Sequence, residues 1–482
     1  MNYRSVGSFM GRILLAMDVF MIPALLISIY YGENVAVAAF MGSMMGIAVL
    51  GGSLCAMGRG EAKGFYAKEG FVCVGLSWIV LGLVGAMPFR LSGAIPNYLD
   101  AVFETVSGFT TTGASILNNV EALPYGLLYW RSFTHWVGGM GVLVFLLAVS
   151  LGNDKSRGYT VHILRAESPG PSVSKLVPKI RQSAAILYFI YIILTVLCFV
   201  FLILGDMPLF DAICTAFGTA GTGGFGIKNT SMASYSLFAR NVVTIFMILF
   251  GINFSVYYYI ALRKYKAIVK DEELKLYLGI ILASVVLIFI NTWGMFMNTG
   301  EAISHVFFQV ASIITTTGFA TVDFDLWPNF SKSVLLILMF VGACAGSTGG
   351  GFKVSRVIIL IKNLFKSMRQ LVHPGKVEAV RVNDTVIDEK TLSNTNTFLA
   401  AYVMIFLVSC FVISLDGLSF TTNFSAVAAC INNIGPGFEQ VGPAFNYACF
   451  GALSKIVLIM DMLIGRLEIF PILILFSKST WK

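Results

Sequence analysis

The residues of this chain best suited to chemistry include no obvious acid, base or nucleophile. They are four short words: Thr110, Thr111, Thr112, Gly113; Gly221, Thr222, Gly223, Gly224; Thr315, Thr316, Thr317, Gly318; and Asn432, Asn433, Ile434, Gly435. Thr, Asn and Gly can be held extended, and glycine permits the positive φ that turns successive carbonyls toward one axis. Carbonyl rings that replace a hydration shell select alkali cations. One such word is an ordinary turn, so the signal lies in the repetition. The words close four segments, 100–113, 211–224, 305–318 and 422–435, that align without gaps on the final glycine.

These words need elements to position them, and the composition says which. Of 482 residues, 57% are hydrophobic and only 12% are charged, against ~25% charged in a soluble domain. Apolar runs of roughly the 20 residues that span a bilayer fall at 9–31, 35–57, 70–89, 125–151, 184–204, 237–262, 275–297, 331–364, 396–415 and 447–476. The pattern predicts an all-α polytopic membrane protein, its first span a retained helix rather than a signal peptide. Lys and Arg collect in 1–12, 58–69, 152–183, 263–275, 362–391 and 477–482, each a terminus or a segment after an even-numbered span. The positive-inside rule then puts both termini in the cytoplasm. The net charge of +8 is therefore a topology signal and excludes a nucleic-acid partner. The lipid bilayer is the partner it implies.

With that topology the four words lie on the outer side, after spans 3, 5, 7 and 9. Each ends an apolar stretch too short to cross, and two spans separate each word from the next. The unit is span, half-helix, polar loop, span, repeated four times in parallel orientation. It predicts an N-terminal two-helix extension (1–69) and pore repeats at 70–151, 184–262, 275–364 and 396–476, around a pseudo-fourfold axis. A half-helix that returns to the face it entered is allowed only where its non-helical part is buried or lines water. The half-helix C-termini add negative partial charge aimed inward, which favours a cation. The second word, with glycine at 221 and 223, predicts a more flexible wall on its side.

Below the third word the eighth span is interrupted at 342–353, which holds Gly342, Ala345, Gly346, Gly349, Gly350 and Gly351. Glycine disfavours a continuous helix there by ~1 kcal/mol per position relative to alanine. Gly346 and Gly351 match the spacing of a phosphate loop, but Phe352 stands at the lysine position and no strand precedes it. A packing seam and a movable gate are the two readings left. Arg466, inside the last span, is either paired locally with Asp461 or Glu468 or placed on an ion path as an electrostatic barrier. His135 reads as a hydrogen-bonded helix residue rather than a proton relay. His305, Asp100 and Asp211 head half-helices and read as caps. The eight cysteines are scattered and no metal-ligand spacing occurs. Neither paired membrane aspartates in a hydrolase context nor an H-E-x-x-H helix occurs, so no enzyme activity is expected.

The four-repeat arrangement, with "FETVSGFTTTGAS", "WRSFTHWVGGMG", "INNIGPGF" and "GRLEIFP", resembles the Trk/Ktr/HKT superfamily of potassium transporters. The two leading spans and "KEGF" at 68–71 are similar to its bacterial TrkH/TrkG type rather than the shorter KtrB type. The resemblance covers essentially the whole chain. It implies a gated potassium-uptake pore in the bacterial inner membrane, with K+ bound at the four words, which form its selectivity filter. It further implies a homodimer and a cytosolic TrkA-type gating subunit that binds nucleotides, with 152–183 and 362–391 as the segments for docking it. It favours the gate reading of 342–353 and an arginine at position 466 facing the pore. In the family a serine at the position of Gly113 accompanies sodium permeation, so the glycine favours potassium. The alternative mechanism is a symporter coupling K+ to H+ or Na+ by alternating access; transporter repeats are often inverted, whereas these are parallel.

Overall fold

The computed structural model describes residues 1–57, 67–141, 180–375, 378–383 and 385–481. The far end of the 125–151 span, most of the basic 58–69 and 152–183 segments, and His162 lie outside the described residues. The described chain is helical apart from one antiparallel pair of two-residue strands, Arg381–Val382 and Thr385–Val386. Among the described residues six helices are long and apolar enough to cross a membrane, or seven if one sharply bent pair is a single span.

The leading pair, Tyr3–Tyr30 and Asn34–Met57, packs against the first repeat. Its Glu33 carboxylate accepts from the backbone N–H groups of Tyr125 (2.5 Å) and Gly126 (3.1 Å). Those are N-terminal donors of the Tyr125–Gly139 helix, and a carboxylate suits that end of its dipole. The repeats then follow one pattern. Their long first helices are Ala67–Gly85, Ile180–Leu204, Glu272–Asn291 and Glu389–Ile413. Their half-helices are Tyr98–Phe109, Leu209–Ala220, Thr299–Ile314 and Phe420–Ile431. At 1.5 Å per residue none of the half-helices can cross a bilayer.

The caps differ in part from the sequence expectation. Asp100 and Asp211 do lie in first turns. The third half-helix starts earlier than expected, capped by Asn298, whose side chain accepts from Gly300 N. His305 therefore sits inside the helix and bonds Thr321 Oγ1 at 2.9 Å.

The second helices, Tyr125–Gly139, Leu237–Phe250, Asn329–Val341 and Ala452–Arg466, all stop after three to four turns. The sequence reading expected that only of the eighth span. The 237–262 span is two helices bent by 89°, and the last breaks where Glu468 and Ile469 take φ of 55° and 71°. The bend in 237–262 has a visible cause. Its freed backbone groups are taken up by the 342–353 loop: Cys344 N donates to Gly251 O (3.1 Å) and Phe254 N to Gly346 O (3.0 Å). Two interruptions from different repeats satisfy each other, as backbone at membrane depth requires.

Candidate functional site

Each half-helix ends in the same six-residue turn. In the first, Thr111 N donates to Gly108 O (3.0 Å) and Thr112 N to Ser107 O (2.8 Å). Thr222 and Gly223, Thr316 and Thr317, and Asn433 and Ile434 repeat both bonds in their own repeats. This is the double-bonded C-terminal motif whose left-handed residue is usually glycine. Here that residue is Thr111 (φ 54°), Thr222 (53°), Thr316 (58°) and Asn433 (55°). Asparagine tolerates the conformation, but β-branched threonine does so at ~1–3 kcal/mol each. Two residues on, Gly113, Gly224, Gly318 and Gly435 are left-handed again, at 81°, 75°, 86° and 99°. Thr110, Gly221, Thr315 and Asn432, one residue before, have φ of −77°, −72°, −80° and −97°. The sign of φ alternates along every word, which swings successive carbonyls to one side of the chain.

The four words close into a ring, and the glycines show how tightly. A β-carbon on Gly113 would fall 2.1 Å from the carbonyl oxygen of Gly223. One on Gly224 would fall 1.9 Å from Thr317 O, and one on Gly318 2.1 Å from Ile434 O. One on Gly435 would fall 2.7 Å from Thr112 O, which completes the circuit. Each wall thus rests on the next, so glycine is required twice over, by φ and by the neighbouring carbonyl.

The side chains behind the ring differ from wall to wall. Thr110 Oγ1 donates to Val106 O (2.7 Å) and pairs with Thr112 Oγ1 (2.8 Å); Thr315 repeats this with Ala311 O (2.6 Å) and Thr317 Oγ1 (2.7 Å). In the fourth wall Asn432 Nδ2 reaches Ala428 O at 2.9 Å, and Asn433 Nδ2 crosses to Thr112 Oγ1 at 3.0 Å. The glycines of the second wall, from which a more flexible wall was expected, leave no empty space, because His135 of the first repeat packs against them. A β-carbon on Gly223 would lie 2.1 Å from His135 Nδ1, and one on Gly221 2.2 Å from His135 O. The imidazole is buried and hydrogen-bonded, as the sequence reading had it: Nδ1 bonds Gly108 O (2.9 Å) and Nε2 accepts from Phe225 N (3.3 Å).

A buried ion pair, Glu104 with Arg131 (2.6 Å), braces the chain beyond the words. Glu104 also accepts from Ile116 N (3.0 Å) and Ser115 Oγ (3.0 Å), and Arg131 donates to Gly226 O (2.8 Å). These tie down the chain just after the first and second words. The sequence reading passed over both residues, whose only signal is an acid inside an apolar half-helix.

The 342–353 loop lies against the helix-side end of the ring. Gly350 N donates to Thr316 Oγ1 (2.6 Å), and a β-carbon on Gly350 would fall 2.5 Å from Asn432 O. A β-carbon on Gly349 would meet Thr315 O at 2.9 Å. Gly342, Gly346 and Gly351 are left-handed, at 72°, 68° and 78°. Two side chains that the sequence reading missed hold the loop. Glu273 Oε1 accepts from Ala345 N (2.7 Å) and Ser355 N (3.0 Å), stapling its two ends together, and Lys353 Nζ donates to Gly349 O.

Arg466 spans three repeats. Its guanidinium donates to Thr348 O in the loop (2.9 Å) and to Gly138 O (2.5 Å) and Gly139 O (2.7 Å) at the end of the first repeat's second helix. The acids considered as its local partners are engaged elsewhere: Asp461 accepts from Ser409 Oγ (2.7 Å), and Glu468 pairs with Arg356. The arrangement is a closed carbonyl ring with a backbone loop at one end of it, and the cationic side chains of Lys353 and Arg466 bonded to that loop. Among the described residues no cluster could hold a metal ion through His, Cys, Asp or Glu.

Known proteins resemble the chain over its full length. Residues 36–481 match the family described as TrkH, cation transport protein. The chain is 35% identical to the Trk system potassium uptake protein TrkH of Salmonella typhimurium, over 100% of both chains. It is 32% identical to the Trk system potassium uptake protein TrkG of Escherichia coli K12, over 100% of this chain and 99% of that one. The crystal structure of the potassium transporter TrkH from Vibrio parahaemolyticus superposes with a TM-score of 0.88 at 32% identity, covering 100% of each chain. On fold, repeats and sequence together, the chain belongs to the TrkH family of cation transport proteins, a family of transporters and not of enzymes.

Proposed function

We propose that this protein is a potassium-uptake pore of a bacterial cytoplasmic membrane, with the ring as its selectivity filter. The observation that carries the reading is the alternation of φ in all four words, joined into one closed circuit. Side chains in the words vary, from Thr to Gly to Asn and Ile, while the backbone does not. Backbone carbonyls are therefore the common chemistry, and carbonyl rings are what replace the hydration shell of an alkali cation. The relatives named as potassium uptake proteins support potassium as the ion.

On this reading K+ enters from outside and sheds water at the carbonyls of residues 110–113, 221–224, 315–318 and 432–435. It then meets the 342–353 loop and Arg466, which close the path on the cytoplasmic side. The short half-helices direct the negative ends of their dipoles inward, which favours a cation at the ring. Both termini are cytoplasmic, the protein acts as a homodimer, and a cytosolic nucleotide-binding subunit of the TrkA type sets the position of the loop.

The test is ion-replacement flux in liposomes with purified protein. Gly113→Ser forces a side chain against Gly223 O and should lower potassium-over-sodium discrimination; an unchanged ratio in a folded variant removes Gly113 from the filter. Unitary currents in a bilayer separate the channel-like path from alternating-access symport with H+ or Na+.

A further inference from the structure

We propose that His135 is a positioning residue of the filter, standing in for side chains that the second wall lacks. The proposal rests on the reading of the ring as a selectivity filter. Walls one and three each carry a pair of bonded threonines behind their carbonyls, Thr110 with Thr112 and Thr315 with Thr317. Wall two carries glycine at both places, Gly221 and Gly223. Yet Thr222 holds the same left-handed conformation as its counterparts, within a few degrees. A glycine-rich strand has more backbone freedom than a threonine strand, so something outside the word must fix it.

The imidazole of His135 does this from the first repeat. Its Nδ1 lies 2.1 Å from where a Gly223 β-carbon would be, so ring and side chain exclude each other. Its two nitrogens join two walls. Nδ1 bonds the carbonyl of Gly108, the penultimate helical residue of the first half-helix, and Nε2 accepts from Phe225 N, the residue that follows the second word. Nε2 acts as an acceptor toward that N–H, so Nδ1 carries the proton given to Gly108 O, and the neutral tautomer satisfies both partners. The Phe225 ring packs on the imidazole with centroids 4.2 Å apart. Gly221 cannot take a side chain whatever fills position 135, because it faces the backbone carbonyl of that residue at 2.2 Å. The three atoms nearest a Gly223 β-carbon all belong to the imidazole, so histidine at 135 and glycine at 223 form a complementary pair.

The experiment compares the K+/Na+ permeability ratio of His135→Ala, Gly113→Ser and the double variant His135→Ala with Gly223→Thr, at matched amounts of folded protein. His135→Ala is expected to lower the ratio by about tenfold, since two buried hydrogen bonds that fix one wall are lost. The double variant supplies the second threonine of the pair found in walls one and three, filling the space the imidazole leaves, and should recover most of the ratio. A residue that merely packed the helix would alter yield or thermal stability and leave the ratio alone. A wild-type ratio in His135→Ala overturns the proposal, as does a double variant no better than the single one. If His135→Ala does not fold, recovery of folded, selective protein in the double variant supports the pairing, and failure to recover it refutes it. If Gly113→Ser also keeps the wild-type ratio, the filter reading fails; if Gly113→Ser lowers it and His135→Ala does not, only the present inference fails.

Discussion

Replacing Arg466 by glutamine should open the pore. The guanidinium holds Thr348 O of the loop at 2.9 Å and Gly138 O and Gly139 O of the opposite wall at 2.5 and 2.7 Å. Hydrogen bonds to a charged group contribute ~1.5–3 kcal/mol each, so the three together tie the loop strongly to the end of the first repeat's second helix. Most of that is recovered from water when the loop withdraws. A remaining difference of ~2 kcal/mol between closed and open states would change their ratio by about thirtyfold. Glutamine is shorter and has a single amide nitrogen, so it cannot bond the loop and the far wall together. The charge contributes in the same direction. At ~4 Å and an effective dielectric of about 20, like charges repel by ~4 kcal/mol, so its removal should also ease conduction. Resting K+ flux in liposomes without a cytosolic partner is the first measurement, and unitary current in a planar bilayer is the second. Both should rise in Arg466→Gln at matched protein. Wild-type flux and conductance accompanied by lower thermal stability would show that Arg466 only holds the repeats together.

Glu273→Ala removes the staple between Ala345 N and Ser355 N; resting flux should rise several-fold while the K+/Na+ ratio holds, and a changed ratio would mean that the staple acts on the filter. Glu104→Gln leaves the buried Arg131 charge without its anion, a loss of ~3–5 kcal/mol, so folded yield and Tm should fall; a wild-type Tm would remove this pair from the framework. In the loop after the fourth word, hydrogen bonds from Ser419 and Thr422 hold the Glu439 carboxyl below the usual glutamate range. A lowered folded-state value means stabilisation present above the ordinary glutamate pKa and lost as pH falls through the lowered one. The acid-side decline in Tm should therefore be shallower in Glu439→Gln than in the parent, and equal slopes would argue against the linkage.

The helical architecture and the four walls were legible because each rests on a period or a repeat. The half-helices announce themselves by length, and the words by their common final glycine. The left-handed threonines were not legible, since a β-branched residue there runs against local preference and only the closed ring over-determines it. Nor was His135 as a wall element, because its role depends on a gap in a segment about ninety residues away. Glu273 reads as an ordinary acid at a helix start and Glu104 as an acid inside a half-helix, and only the fold shows what each accepts. The bend in 237–262 was hidden because Gly251 and Asn253 break the helix only in company with the 342–353 loop. Arg466 reads in the sequence as paired with Asp461 or Glu468 or as a barrier on an ion path; the partners the structure gives it are carbonyls, and carbonyls leave no mark in a sequence.

The ring and the apparatus beside it obey different symmetry, and the proposed function accounts for that. A spherical cation must be met from all sides at once, so four walls have to present the same carbonyl geometry. They do so with Thr, Gly and Asn before the left-handed residue and with Thr, Gly and Ile after it. Side chains are free to diverge wherever a neighbour supplies the missing support, as His135 does for Gly223. Stopping an ion needs only one obstacle. Among the described residues the long glycine loop accordingly belongs to the third repeat alone, and the fourth alone carries an arginine where the other second helices end at Gly139, Phe250 and Val341. The loop is held mainly from outside the ring, by Glu273, Lys353 and Arg466 and by backbone bonds to the bend at 251–254. Its contacts with the ring are Gly350 N to Thr316 Oγ1 and close packing against Thr315 O and Asn432 O, so releasing those outside holds should move it with little disturbance of the walls. Selectivity and gating are then separable by mutation. Substitutions at Glu273 or Arg466 should change how often ions pass, and substitutions at Gly113 or His135 should change which ions do.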